Sequence, residues 1–219
     1  ELEQASTPEA MVQANRRFPE LISAMIRAGV KPDHVTGLIA SASDLLLRRC
    51  LAFAVARLGP APARFAFLLM GSQGRGEQAL KTDQDNALLF EDVPAERAEA
   101  VRQYFLETGQ LVCGWLEQAG QATCPGKFMA SNPDWCLSRS GWQRRFASWV
   151  GNLEAADLLH SKVFFDFRLG SGDEGLVREL RGMLYAALKE NPRFFFLLAR
   201  NVLRYEPPLG LAGRFTLVD

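Results

Sequence analysis

A chain of 219 residues with 48% hydrophobic content can bury a core as one large domain or two small ones, which excludes the fibrous and disordered classes. Its 25 basic residues match its 25 acidic ones, and zero formal net charge argues against bulk nucleic-acid binding through phosphate neutralisation. No segment reads as secretory or membrane-spanning, since even Leu45 to Leu58 is interrupted by Arg48, Arg49 and Arg57.

The first residue is Glu rather than Met, so the chain reads as an excerpt of a longer polypeptide. Residues 8 to 28 carry Met11, Phe18, Leu21, Ile22, Met25 and Ile26 as a loose helical stripe, and Pro19 near its middle divides two helices or kinks one. Gly29 and Pro32 end this section, with Asp33 as a candidate cap for the next helix. From Val35 to Leu58 the apolar positions predict a long, largely buried helix whose arginines emerge on a solvated face. Gly59, Pro60 and Pro62 then break it.

Residues 63 to 92 carry the densest pattern. Phe65 to Met70 is an apolar run stopped by Gly71, and Ala87 to Phe90 is a second; both read as buried strands. GSQGRGEQ lies at the end of the first, and Asp83 and Asp85 lie at the start of the second. Alternation along a strand turns both carboxylates to one face and Gln84 to the other. Carboxylates that close repel unless neutralised, and an oxygen-preferring divalent cation such as Mg2+ does so. Gly71, Gly74 and Gly76 let backbone amides approach phosphate oxygens, and a helix beginning near Arg75 would aim its positive end at them. Ser72 offers a hydroxyl, and Arg75 offers a guanidinium for a phosphate or for internal bracing. Glu77 would orient Arg75 or a helix terminus.

An isolated Asp-x-Asp most often marks a solvated turn. The upstream Gly-Ser and the two flanking apolar runs favour metal binding instead. A Walker-type loop would need Lys where Glu77 stands, and a dinucleotide fingerprint would need a third glycine where Ala79 stands.

After Phe90 a helix is predicted from about 95 to 119, with Val101, Tyr104, Phe105, Leu111, Val112, Trp115 and Leu116 as ordinary core. Gly120 ends it. Lys127 to Ala130 then reads as a short third strand between turns at Pro125-Gly126 and Asn132-Pro133. Cys50, Cys113, Cys124 and Cys136 include no Cys-x-x-Cys pair, and with two histidines in the chain they read as reduced, partly buried thiols of a cytoplasmic protein. Residues 141 to 219 read as helical and aromatic-rich, with helices over Leu158 to Phe167, Leu176 to Leu188 and Phe194 to Leu203. Asp166 falls in the first of these and Arg168 directly follows it, as a buried ion pair or hydrogen-bond network or as contributors to substrate or metal binding.

The Gly-Ser after a strand, the Gly-Arg-Gly-Glu turn and the Asp-x-Asp opening the next strand resemble the nucleotidyltransferase superfamily that includes DNA polymerase beta. Within it they resemble the bacterial uridylyltransferases that modify the PII protein. More narrowly, GSQGRGEQ followed by TDQDNALL is similar to the DUF294 nucleotidyltransferases found beside CBS-pair or cyclic-nucleotide-binding modules. CPGKFMASNPDW at 124 to 135 and FFDFR at 164 to 168 are similar to later blocks of that family. The resemblance runs from about residue 10 onward and implies an α+β fold. A nucleotidyltransferase-like core with a small mixed sheet would occupy 63–140, between helical sections at 1–62 and 141–219.

It further implies transfer of a nucleoside monophosphate from a nucleoside triphosphate to an acceptor. Asp83 and Asp85 would be the catalytic pair holding Mg2+ or Mn2+, and Gly71, Ser72, Gly74, Arg75 and Glu77 would bind the nucleotide. UTP, a regulatory protein as acceptor, and a CBS or cyclic-nucleotide-binding module in the same full-length chain are implied by the uridylyltransferase and DUF294 likenesses. The superfamily often places a third carboxylate on a strand like 127–130, but Lys127 to Asn132 contains no acid. The remaining candidates are Asp134, Glu154 and Asp166, and none is expected to complete a tight cluster with Asp83 and Asp85. That absence favours the alternative of a nucleotide-sensing regulatory module that binds without transfer; a purely structural interaction domain is the other alternative.

Overall fold

The computed structural model describes residues 1–151 and 163–203. Helices α1 (Pro8–Asn15) and α2 (Phe18–Arg27) come first, and Pro19 sits in the opening turn of α2, so it starts a second helix rather than kinking one. The long helix α3 (Pro32–Leu58) opens on Pro32, which moves the cap position back to Lys31. Asp33 therefore lies inside the first turn and, contrary to the expected cap, makes no capping bond; its charge still suits a helix N-terminus.

Strand β1 (Phe65–Leu69) runs into a five-residue helix α4 (Gly71–Arg75), and β2 (Asn86–Phe90) comes next. Helix α5 (Ala95–Gln118) leads through irregular chain and one 3-10 turn at Pro133–Trp135 to β3 (Cys136–Ser138) and α6 (Arg139–Gly151). Strand β4 (Arg168–Gly172) and helices α7 (Glu174–Glu190) and α8 (Pro192–Val202) complete the described chain. The sheet order is β3-β2-β1-β4, with β1 antiparallel to β2 and β4, and β2 parallel to β3. This is the α+β class with a small mixed sheet.

The near-continuous apolar runs of β1 and β2 have a direct cause: both faces of the sheet are covered. Phe67, Leu69, Leu88 and Phe90 pack with Leu46, Leu47, Leu51 and Ala54 of α3 and Val101, Phe105 and Val112 of α5. Ala66, Leu68, Ala87 and Leu89 face the other way, onto Trp142, Phe146 and Trp149 of α6 and Leu176, Leu180 and Leu184 of α7. Burying each large side chain in such a layer contributes about 1.5–3 kcal/mol. A one-residue slip of β2 would swap its two faces and turn Asp83 and Asp85 away from their present surroundings.

Two segments after α5 differ from the expectations. Lys127–Ala130 is not a strand. Lys127 has φ 56°, and its N–H donates to the Cys124 carbonyl at 2.8 Å, closing a turn that a strand could not contain. The segment still meets β2 at single points, with the Asn86 N–H donating to the Phe128 carbonyl at 2.9 Å. The third strand is Cys136–Ser138 instead.

The second difference concerns Asp166 and Arg168. Residues 165–167 are not helical, and Arg168 opens β4, which pairs with the edge of β1. The helix predicted over Leu158 to Phe167 otherwise begins outside the described residues. Arg168 does not pair with Asp166: it forms a two-pronged ion pair with Asp44 of α3, at 2.8 and 2.9 Å, and also donates to the Gln73 carbonyl at 3.0 Å. That pair ties α3, α4 and β4 together.

Candidate active site at the ends of two central strands

The site grows from the TDQDN segment, where side chains alternate. Gln84 and Asn86 turn toward α5 and are fully buried; Asp83 and Asp85 turn to the opposite side. The Gln84 amide donates to the carbonyls of Cys113 and Gln121 at 3.1 Å each, and its backbone N–H donates to the Ala122 carbonyl. The Asn86 side-chain oxygen accepts the Ala130 N–H at 2.8 Å and the Cys113 thiol at 3.5 Å. These bonds stitch the chain after α5 alongside the aspartates. Asp83 pairs in a parallel bridge with Ala122, which brings Cys124 into the site.

The ligand atoms of Asp83, Asp85 and Cys124 all lie within 4.8 Å of one another. Two oxygens bound at ~2.1 Å to one ion stand at most about 4.2 Å apart, so small side-chain rotations bring this group to coordinating distance. Asp83 is exposed, Asp85 half-buried and Cys124 buried. Burial raises the Asp85 pKa, the like charge of Asp83 raises it further, and the Cys124 thiol partly offsets this by hydrogen bonding to the carboxylate. Burial likewise raises the Cys124 pKa, with Asp85 adding to the rise. A raised carboxyl pKa beside a second acid marks a place where positive charge would be welcome.

The glycine turn supplies the opposite wall. The Met70 N–H donates to the Asp85 carbonyl at 2.9 Å, continuing the β1–β2 ladder to the end of the strands. Gly71 comes next with φ 54°, and a Cβ there would stand 2.5 Å from Oδ2 of Asp85. Absence of a side chain is thus what gives the carboxylate its space. At Gly74 a Cβ would fall on the carbonyl oxygen of Asp166, so the missing side chain lets α4 pack against that backbone. The expectation of a helix starting near Arg75 is corrected: α4 starts at Gly71 and ends at Arg75, with Gly76 left-handed (φ 69°) as its terminator. Ser72 lies in the first turn of α4, half-buried.

Arg75 therefore stands at the C-terminal end of α4, where its guanidinium bridges Glu77 at 2.9 Å and Asp166 at 3.0 Å. Both acids raise its pKa, Glu77 more than Asp166. Glu77 and Asp166 thus hold the Arg75 guanidinium between them. Of the three candidate third acids, Asp166 is held by Arg75, Asp134 lies 3.6 Å from Arg145, and Glu154 falls outside the described residues. Among the described residues the third member of the metal-capable group is Cys124. Sequence reading missed it because an unpaired cysteine between turns looks like inert core; the stretch TCPGK offers no local sign of the carboxylates across from it.

An α+β fold whose central strands end in a glycine turn and a pair of facing carboxylates defines a nucleotidyltransferase-type domain. The family model described as "Putative nucleotidyltransferase DUF294" matches residues 16–156, and the chain belongs to that family. Comparison with curated protein sequences finds no match. Family membership supports nucleotidyl transfer as the general activity, with a nucleoside triphosphate as substrate. No helix among the described residues is long and apolar enough to cross a membrane.

Proposed function

We propose that Asp83 and Asp85 hold a divalent cation, Mg2+ or Mn2+, and that the domain transfers a nucleoside monophosphate from a nucleoside triphosphate to an acceptor. The observation that carries this reading is the fit of Gly71 against Asp85, where a single methyl group would occupy the carboxylate's place. The donor set also fits, since two carboxylates with no basic partner among the described ion pairs suit a hard cation. When bound, such a cation neutralises triphosphate oxygens and the charge that develops on them during transfer.

The chain's own residues have separable roles. Asp83 and Asp85 fix the cation's place at the strand ends, and Gln84 and Asn86 hold the backbone so that both carboxylates keep one face. Gly71 and Ser72 form the wall that the phosphates approach, Gly74 lets α4 pack against the Asp166 backbone, and Arg75, steadied by Glu77 and Asp166, supplies fixed positive charge beside it. By likeness to the PII-modifying uridylyltransferases, UTP is the first nucleotide to test and a regulatory protein the first acceptor.

A nucleotide-sensing domain without turnover is the second reading. It is favoured by the third position of the site, where Cys124 stands and no third carboxylate joins among the described residues. Titration calorimetry with each nucleoside triphosphate, with and without Mg2+, tests the binding that both readings require. Asp85→Asn should abolish the metal-dependent part of binding while circular dichroism stays unchanged. Wild-type affinity in that variant would remove the cation assignment. Turnover separates transferase from sensor.

A further inference from the structure

The geometry points to Cys124 as a third, sulfur ligand of the Asp83–Asp85 site, which would strengthen binding of a borderline cation such as Co2+ or Zn2+ there more than binding of Mg2+. This inference rests on the cation reading proposed above and adds to it the identity of the donor that sets metal preference.

Three observations carry it. The Cys124 Sγ and one oxygen from each aspartate lie within 4.8 Å of one another, so the thiol is a neighbour of both acids and not of one alone. The thiol is presented by a built turn: Cys124-Pro125-Gly126-Lys127 is closed by the 2.8 Å bond from the Lys127 N–H to the Cys124 carbonyl. Lys127 there holds a left-handed backbone at φ 56°, the one positive φ at a non-glycine among the described residues, and such strain persists where surrounding structure or function requires it. The third observation is an open cavity of about 680 Å³ that Cys124 itself lines, together with Thr123, Lys127, Ser131 and Asn132. Cys124 thus stands at the edge of this cavity, and its sulfur lies within 4.8 Å of the two carboxylates.

The chemistry is set by donor softness. Mg2+ takes oxygen ligands and gains little from sulfur, whereas Co2+ and Zn2+ gain from a thiolate added to two carboxylates. Coordination replaces the S–H bond of Cys124 by a sulfur–metal bond, and the proton leaves to the buffer. The other three cysteines cannot supply the same signal. Cys50, Cys113 and Cys136 are sealed in the core at 0–5% exposure, away from the carboxylate cluster.

The test is a spectroscopic titration of the whole chain with Co2+, reading the ultraviolet thiolate-to-cobalt charge-transfer band, together with calorimetric titrations of Co2+ and Mg2+. Wild-type protein should develop the band to saturation at one equivalent. Cys124→Ser should lose it and bind Co2+ at least about tenfold more weakly, a larger loss than it shows for Mg2+. The wild-type spectrum needs no variant, so a poorly folding Cys124→Ser would not shelter the inference. Mg2+ binding that depends on Asp85 in a wild-type protein lacking the cobalt band would overturn the sulfur ligand and leave the cation site standing. Failure of wild-type protein to bind either ion would overturn both.

Discussion

Replacing Gly71 with alanine should separate the carboxylate's need for space from the fold's need for a flexible residue. The new Cβ would stand 2.5 Å from Oδ2 of Asp85, far inside contact distance, on a backbone with φ 54°. Left-handed backbone costs an L-residue roughly 1–2 kcal/mol. The Asp85 side chain is half-buried and can swing aside, so the clash itself adds little to stability. A loss of about 1–2 kcal/mol lowers Tm by about 2–8 °C in a chain of this size. The functional loss should be larger in proportion, because the displaced carboxylate is the proposed ligand: Mg2+-dependent nucleotide affinity should fall about tenfold or more. Differential scanning calorimetry and isothermal titration with and without Mg2+ read the two effects. Gly74→Ala is the contrast, since its Cβ would strike the Asp166 backbone carbonyl, which cannot swing away; it should cost about 3 kcal/mol or more. Gly71→Ala with a lowered Tm and unchanged Mg2+-dependent affinity would refute the argument that Gly71 makes room for a metal-holding carboxylate.

The same geometry sets other outcomes. Burial, then the charge of Asp83, raises the Asp85 pKa above its ordinary 3.8, so the folded state holds that proton more tightly than the unfolded chain does. Its stabilising contribution is complete below the ordinary value and is lost as pH rises through the raised one; metal-free thermal melts should show this decline, and Asp85→Asn should lack it. Arg75→Ala should weaken triphosphate binding more than monophosphate binding while shifting stability by less than about 1 kcal/mol, because both its ion pairs are solvent-facing; equal losses for the two ligands would make Arg75 a brace alone. Asp44→Ala and Arg168→Ala should each cost about 2–3 kcal/mol in denaturant unfolding, and a double-mutant cycle should return a favourable coupling between them.

The sequence made legible the features that local periodicity and local chemistry determine. The apolar runs of β1 and β2, the helical stripes of α3 and α5, and the same-face placement of Asp83 and Asp85 are all consequences of near neighbours along the chain. Strand β4 was not legible, because Arg168-Leu-Gly-Ser-Gly has two glycines and no β-branched residue; it is a strand because the edge of β1 offers it a ladder. Lys127–Ala130 has the look of a strand because turn residues flank an apolar pair, yet the decisive element is the buried Asn86 side chain, which takes the Ala130 N–H for itself. Asp166 and Arg168 look like partners because they are two apart, whereas each finds its partner in a distant element, Arg75 and Asp44. Cys124 stays hidden for the same reason: its meaning lies in carboxylates about forty residues earlier, reached through the anchoring of Gln84 to Cys113 of α5 and to Gln121 just beyond it.

The most direct measurement incubates the protein with nucleoside triphosphates labelled at the α-phosphate, Mg2+ or Mn2+, and cell extract, and tracks both pyrophosphate release and label on an acceptor. The account predicts metal-dependent pyrophosphate release with label transferred from one nucleotide, UTP being the first candidate, and loss of both in Asp83→Asn and Asp85→Asn proteins that still fold. Transfer that survives in both variants would contradict the assignment of the aspartate pair, and tight metal-dependent nucleotide binding with no transfer to any acceptor would contradict the transferase in favour of the sensor.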